Sequence, residues 1–137
     1  MTNLNFSISE LIKSDKARQH NIKNTPSISQ VDNMLNLIFY CLQPIRDYLG
    51  KPIIITSGFR NPELNKLVGG KANSQHLEGK AADFIVQGET VAGIIFKIQT
   101  SNFEYDQLIH EKINGKEWVH ISFNKGKNRK QYLQIKR

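Results

Sequence analysis

In the segment "SQHLEGKAADFIV", Ser74 to Val86, a glycine turn leads directly into an apolar strand. Ala82, Phe84 and Val86 alternate along this strand and share one face, so Asp83 points to the other face. A carboxylate in so apolar a strand is costly unless it is paired or binds a metal ion. The segment therefore predicts a buried strand that carries a functional acid.

The segments on either side of this strand predict an α+β fold. Upstream, apolar residues recur at helical spacing from Val31 to Leu49, with Pro44 as an interruption, and a second helical pattern follows the strand in "ETVAGIIFKIQTS". The other predicted strands are "KPIIITSGF", "EYDQLIH", "EWVHISF" and "KQYLQIK". The last two are expected to pair as a hairpin about "NKGKN". We expect a mainly antiparallel sheet with the N-terminal helices packed on it.

The composition indicates one soluble globular domain, residues 1–137. The chain has a mass of 15.7 kDa and is 39% hydrophobic and 23% charged, which is ordinary for such a domain. No apolar run approaches the roughly 18 residues of a membrane span, and no basic start followed by an apolar core suggests a signal peptide. We expect synthesis in the cytoplasm without an export signal or a membrane anchor. The single cysteine rules out an internal disulfide and a cysteine-rich zinc site.

The chain is strongly basic. The net charge is +7, and six of the nineteen basic residues follow Asn124 in "KGKNRKQYLQIKR". This bias favours an anionic partner such as nucleic acid, an acidic membrane surface or a polyanionic cell wall. The alternative is a solvated hairpin whose lysines protect an edge strand from pairing.

Three residues form a candidate metal site: His76, Asp83 and His120. In "EWVHISF", His120 lies opposite the apolar face made by Val119, Ile121 and Phe123. A turn at Gly79 allows His76 and Asp83 to converge, which a straight helix would not. Two imidazoles and one carboxylate suit zinc and leave a fourth position open, as in a catalytic site.

A metal-activated water needs a base, and Glu117 is the acid closest in sequence to His120. Residues three apart on an ideal strand face opposite ways, so Glu117 reaches the metal only from a bulge or loop. Taken singly, each residue also has a structural explanation. A strand histidine can be a satisfied polar residue, an acid beside a glycine can mark a turn, and Arg60 can form a salt bridge or bind loop carbonyls.

The segment "ITSGFRNPELNKLVGGKANSQHLEGKAADF", followed by "EWVHIS", resembles the zinc peptidoglycan peptidases. This family contains D-Ala-D-Ala carboxypeptidases and L-Ala-D-Glu endopeptidases that share the Hedgehog/DD-peptidase fold. Its pattern is Ser-Gly-Tyr-Arg, then Ser-x-His with an Asp seven residues beyond the His, and finally Glu-x-x-His. Here Phe59 replaces the tyrosine, and the likeness runs from Val31 to Ser122.

The resemblance implies a role for each matching residue. His76, Asp83 and His120 would bind one Zn²⁺ per chain, and Glu117 would be the general base. Arg60 would stabilise the oxyanion or hold substrate. Ser74 would hydrogen-bond the peptide or support the site.

The expected activity is zinc-dependent hydrolysis of an amide bond in a wall peptide that contains D-amino acids. We expect a monomeric phage or prophage lysin, or a wall hydrolase carried by a virion, that reaches the wall after release. The basic C-terminal region would contact an anionic wall polymer, with no nucleic acid or membrane as partner. One alternative is a non-catalytic zinc-binding wall module, although Glu117 would have no use there. The other is a metal-dependent nuclease, suggested by the charge of +7, but aromatic and basic residues do not alternate.

Overall fold

The computed structural model describes residues 4–137 as six α-helices and one five-stranded sheet, with a π-helical turn and a 3₁₀ turn. The α-helices are α1 Ile8–Ile12, α2 Asp15–Gln19, α3 Ile28–Leu37, α4 Gln43–Leu49, α5 Pro62–Leu67 and α6 Val91–Gln99. The strands are β1 Ile53–Ser57, β2 Ala81–Val86, β3 Gln107–Ile113, β4 Lys116–Ser122 and β5 Gln131–Lys136. The predicted α+β class is confirmed. None of the helices in this described part has the length and hydropathy needed to cross a bilayer.

The sheet is mixed, with strand order β1-β2-β4-β3-β5. β1 with β2, β2 with β4, and β3 with β4 are antiparallel pairs, whereas β3 and β5 run parallel. The predicted hairpin between "EWVHISF" and "KQYLQIK" is therefore wrong. Both edges of β4 are occupied by β2 and β3, so the chain after β4 passes to the far side of β3 before β5 begins.

The hairpin that does form joins β3 to β4 through Asn114 and Gly115. Both residues have positive φ, 52° and 79°, as a tight two-residue hairpin turn requires. Asn-Gly is a favoured sequence for such a turn because both residues tolerate this conformation. This turn fixes which residues of β3 and β4 lie opposite one another.

Helices α3 and α4, together with α6, pack on one face of the sheet, as predicted for the N-terminal helices. The main cluster of buried side chains joins α3 and α4 to the strands, and α6 contributes to the same cluster. Phe84, Val119 and Ile121 supply the strand side of this core and are fully buried. Cys41, the single cysteine, lies in the same core and is inaccessible to solvent. The alternate residues of the same strands are consequently free to build a site on the other face.

The long helical pattern before β1 forms two α-helices joined by a π-helical turn, Ile38–Leu42. Ser27 caps α3 in a complete capping box with Gln30. The π turn ends just before Pro44, and the N–H of Gln43 donates to the carbonyl of Ile38, five residues back. Proline has no N–H to continue an α-helical ladder, so the predicted interruption at Pro44 takes the form of a widened turn.

Candidate metal centre

His76 is carried by a short 3₁₀ turn, Gln75–Glu78. The Ser74 hydroxyl begins this turn by accepting a hydrogen bond from the His76 N–H at 3.2 Å, and Gly79 ends it with φ 75°. Helix α3 fixes the turn from outside: the Gln30 amide donates to Leu77 O at 3.0 Å, and the Asn33 amide donates to Glu78 O at 2.9 Å. The turn is therefore attached to a long helix and cannot move independently of it.

The sheet supplies the other two residues of the cluster. Asp83 on β2 and His120 on β4 are direct cross-strand partners, so their side chains share a face. Asp83 Oδ1 lies 3.2 Å from His76 Nε2 and 2.9 Å from His120 Nδ1. All three residues are buried, and their donor atoms lie within 4.8 Å of one another. The structure thus brings together the three residues that the sequence singled out.

The spacing of these donor atoms fits a tetrahedral metal ion. Two ligand atoms, each about 2.0–2.1 Å from a tetrahedral zinc, lie roughly 3.3 Å apart. The two contacts of Asp83 Oδ1 are close to that separation. In addition, His76 Nδ1 lies 2.7 Å from Gly58 O, so this nitrogen donates to the carbonyl and leaves Nε2 free to bind a metal. The cluster can accept a metal ion with little rearrangement.

The electrostatics of the cluster keep its donors in the forms that bind metals. Burial alone would raise the pKa of Asp83, but the adjacent imidazoles of His76 and His120 outweigh burial and hold this pKa well below its usual range. Burial lowers the pKa of His76, which favours the neutral imidazole. A carboxylate and a neutral imidazole are both ready ligands.

Arg60 lies beside the cluster. Its Nη2 is 3.4 Å from Asp83 Oδ2, its Nε donates to Ser57 Oγ at 3.0 Å and its Nη1 donates to Asn65 Oδ1 at 3.2 Å. Its backbone N–H also donates to His76 O at 3.1 Å. Burial lowers the pKa of Arg60, and the charge of Asp83 opposes that shift. The guanidinium is thus a fixed positive charge next to the candidate ligands.

Glu117 is not brought to the cluster. It lies within β4, and residues 108–113 pair with residues 116–121 without a register shift, so the bulge that its predicted role required is missing from this hairpin. Its carboxylate lies 2.6 Å from His110 Nε2 and 3.9 Å from Lys112 Nζ. Because Glu117 is three residues from His120 on a regular strand, it belongs to the opposite face of the sheet. The predicted role of Glu117 has no support in this position.

Glu111 on β3 occupies the position expected of a base, and it is not among the residues predicted from the sequence. Glu111 pairs with Trp118, which shares the face of His120, and its Oε1 lies 3.6 Å from His120 Nδ1. Burial raises the pKa of Glu111, and the nearby charge of Asp83 raises it further. The Asn114-Gly115 turn was the available signal, since counting outward from it places Glu111 opposite Trp118.

An α+β fold with a buried His-Asp-His cluster on the sheet face opposite the main core defines a candidate mononuclear metalloenzyme. The chain belongs to the peptidase M15 family, whose model matches residues 4–122. This match confirms the resemblance drawn from the sequence. Over 43 residues the chain is 49% identical to a zinc D-Ala-D-Ala carboxypeptidase from Streptomyces albus G. That alignment covers 31% of this chain and 17% of the relative's length.

Proposed function

We propose that this chain is a zinc-dependent peptidoglycan peptidase that hydrolyses an amide bond in a wall peptide containing D-amino acids. The observation that carries the proposal is the spacing of His76, Asp83 and His120, which suits zinc, in a chain of the peptidase M15 family. The name of the Streptomyces albus G relative supports both the metal and the class of substrate.

His76, Asp83 and His120 would hold one Zn²⁺ and leave one coordination position open to solvent or substrate. When bound, the metal polarises the scissile carbonyl and lowers the pKa of a water molecule. The hydrogen bond between His76 Nδ1 and Gly58 O holds the imidazole in the orientation that this role needs.

Glu111 is the residue we assign as general acid and base, in place of Glu117. Its carboxylate lies beside His120, on the face where the peptide would bind. There it would accept the proton of the attacking water and donate it to the leaving amine. A raised pKa suits a group that must hold a proton briefly near neutral pH.

Arg60 would stabilise the negative charge that develops on the carbonyl oxygen, or hold the peptide. Its hydrogen bonds to Ser57 and Asn65 fix the guanidinium before substrate arrives, which is the condition for effective charge stabilisation. Ser74 supports the site by capping the turn that carries His76.

The basic C-terminal region would promote approach to an anionic wall polymer. All four of its lysine side chains are exposed, whereas Arg129 pairs with Asp106. We propose that the protein acts as a monomer, as a phage or prophage lysin or as a wall hydrolase carried by a virion. A non-catalytic zinc-binding wall module is the second candidate, and the position of Glu111 favours the enzyme over it.

The test is mass spectrometry of purified muropeptides incubated with the zinc-loaded protein, beside a chelator-treated sample and the Asp83→Ala variant. We expect a zinc-dependent product that is missing from both controls, and its mass identifies the bond that is cut. Zinc bound at one equivalent without any product would favour the non-catalytic module.

A further inference from the structure

A groove of about 660 Å³ runs beside β1, and none of the three candidate metal ligands lines it. This volume falls in the range of about 300–1,000 Å³ that small-molecule sites occupy. The groove is bounded by β1 and the segment after it, by the chain between α1 and α2, and by α5. The lining residues that matter below are Glu10, Lys13, Ile54, Ser57, Arg60 and Val68.

The groove exposes the free edge of the sheet. β1 is an edge strand, and its only strand partner is β2. Among the described residues, Ile53–Ser57 form no backbone hydrogen bond to any segment other than β2. Such an edge presents unpaired N–H and C=O groups to which an extended peptide can add as a further strand. The five residues of β1 span roughly 16 Å, enough for a peptide of four or five residues.

The side chains of the groove indicate what such a peptide would carry. The Glu10 carboxylate lines this groove together with Lys13 and Lys16, and it lines an adjoining cavity of about 280 Å³ together with Arg46. Within residues 4–137 it forms no ion pair with any of these cations. Burial raises the pKa of Glu10, so a cation placed beside it would relieve an unfavourable environment. Exposed apolar side chains of Ile54 and Val68 offer contact to the rest of the peptide.

One end of the groove reaches the candidate metal centre. Ser57 and Arg60 line the groove, and Arg60 Nη2 also lies 3.4 Å from Asp83 Oδ2. Ser57 is the cross-strand partner of Asp83. A peptide that follows β1 in the direction of Ser57 is therefore led to the cluster.

We propose that the groove binds an extended peptide as an added strand along β1, with a free ammonium group of that peptide paired to Glu10. This inference rests on the proposed function: the bound peptide is the part of the wall substrate that flanks the cleaved bond. In wall peptides the diamino acid supplies such an ammonium group only while its side chain is not cross-linked. The enzyme would therefore prefer wall stem peptides that are not cross-linked at this residue. It would recognise several residues of the peptide rather than a terminal dipeptide.

The experiment measures peptide binding by backbone amide NMR, with the zinc-loaded Glu111→Gln protein as background so that turnover is slow during the measurement. The probes are a muropeptide with a free lysine side chain and the same peptide acetylated on that amine. Glu10→Gln is compared with Glu104→Gln, which removes the same charge from an exposed acid outside the groove. Thermal unfolding of both variants verifies that each is folded.

We expect shifts of the Ile53–Ser57 amides and a roughly tenfold weaker affinity for the free-amine peptide in Glu10→Gln, the loss typical of one charged hydrogen bond. Glu104→Gln should bind like the parent. The acetylated peptide should bind weakly and respond equally to both variants. Unshifted β1 amides, or equal losses in the two variants with the free-amine peptide, would overturn the proposal.

Hydrolysis by the protein with Glu111 intact is measured separately, so the two proposals fail independently. If cleavage depends on zinc but Glu10→Gln changes neither peptide binding nor KM, the peptidase proposal stands and the proposed role of the groove is wrong. If the chemical shifts of the β1 amides change on peptide binding in a way that depends on Glu10 but no cleavage is observed, the groove is a peptide site and the peptidase proposal is wrong.

Discussion

Two glutamates on one hairpin experience opposite environments. The pKa of Glu117 is lowered, first by its hydrogen bond with His110, and this carboxylate lies at the surface. The pKa of Glu111 is raised by burial beside the His-Asp-His cluster. Because side chains alternate between the two faces along β3 and β4, the two acids lie on opposite faces of the sheet. Their positions therefore suit a structural ion pair and a proton carrier, respectively.

Replacing the two glutamates one at a time tests this assignment. We expect Glu111→Gln to lower kcat by about 10²- to 10⁴-fold, because the variant has no carboxylate to move the proton. Glu117→Gln should stay within a few-fold of the parent, since it loses only a surface pair with His110. The measurement is steady-state hydrolysis of one purified muropeptide, with bound zinc quantified in each variant.

If instead Glu117→Gln is inactive and Glu111→Gln is active, Glu117 and not Glu111 is the general base. Loss of zinc from Glu111→Gln would also contradict the assignment, because Glu111 would then be acting through the metal site.

Among single residues, the sequence singled out the members of the His-Asp-His cluster but not Glu111. His76, Asp83 and His120 stand out because each is a polar residue at a turn or on the polar side of an apolar strand. Glu111 carries no such local signal, since "QLIHEKI" places it among alternating polar and apolar residues. Its relation to His120 arises only when β3 pairs with β4, which is a contact between distant parts of the chain.

Among the elements, the 3₁₀ turn that carries His76 depends on its packing against α3. Gln30 and Asn33 hold two of its carbonyl groups, and Gly79 lies directly against Gln30. A Cβ at Gly79 would lie 2.6 Å from Gln30 O. The close approach of turn and helix therefore requires a glycine for space as well as for its positive φ.

The Gly79→Ala variant should disturb both stability and metal binding. The left-handed conformation costs an alanine about 1–2 kcal/mol, and the contact with Gln30 O adds a further cost and displaces His76. Gly69→Ala is the matched control, because Gly69 has the same φ of 75° but nothing within 4 Å of its added Cβ. Urea unfolding and zinc titration of both variants measure the difference.

We expect both variants to lose stability but only Gly79→Ala to bind zinc more weakly. Equal zinc affinities would mean that the turn adjusts without moving His76.

The five strands and the two longest helical regions were predictable, and the order of the strands in the sheet was not. Each strand is marked by its apolar run, and Ser27 and Gly50 mark the ends of the long helical region. Pairing "EWVHISF" with "KQYLQIK" followed the rule that successive strands usually neighbour one another. The rule fails here because the Asn114-Gly115 turn pairs one edge of β4 with β3, and β2 pairs with the other edge. Competition for strand edges is a property of the whole sheet and is not visible in any one segment.

For the whole molecule, Asp106 ties the chain between β4 and β5 to the rest of the fold. Its carboxylate is almost fully buried and accepts hydrogen bonds at 2.9 Å from Arg129 Nε and Nη2. It also accepts one at 2.8 Å from the Gln75 amide, next to His76. Asp106 thus connects the crossing to β5 with the turn that carries His76.

Acid should weaken this connection. Hydrogen bonds from Arg129 lower the pKa of Asp106 to about 2, below its unfolded value of about 3.9. A lowered folded-state pKa gives stability that is present above about pH 4 and lost as the pH falls to 2. Because the Arg129 side chain is about half exposed, solvent screens the pair, and we expect it to contribute about 1 kcal/mol.

Urea unfolding at pH 7 and pH 3 measures this contribution. The parent should lose more stability than Asp106→Asn between the two pH values, because the variant has no carboxylate to protonate. Glu104→Gln, which alters an exposed acid, should follow the parent. Identical pH dependences of the parent and Asp106→Asn would show that the pair does not stabilise the fold.

The burial of Cys41 gives the protein an internal reporter of unfolding. Its thiol is inaccessible in the folded core, and burial raises the pKa of the thiol well above its usual range. A thiol reagent can therefore react only with molecules whose core has opened, and no second cysteine contributes a background. The labelling rate of the unmodified chain would follow core opening with and without zinc, and would do so without altering any residue of the site.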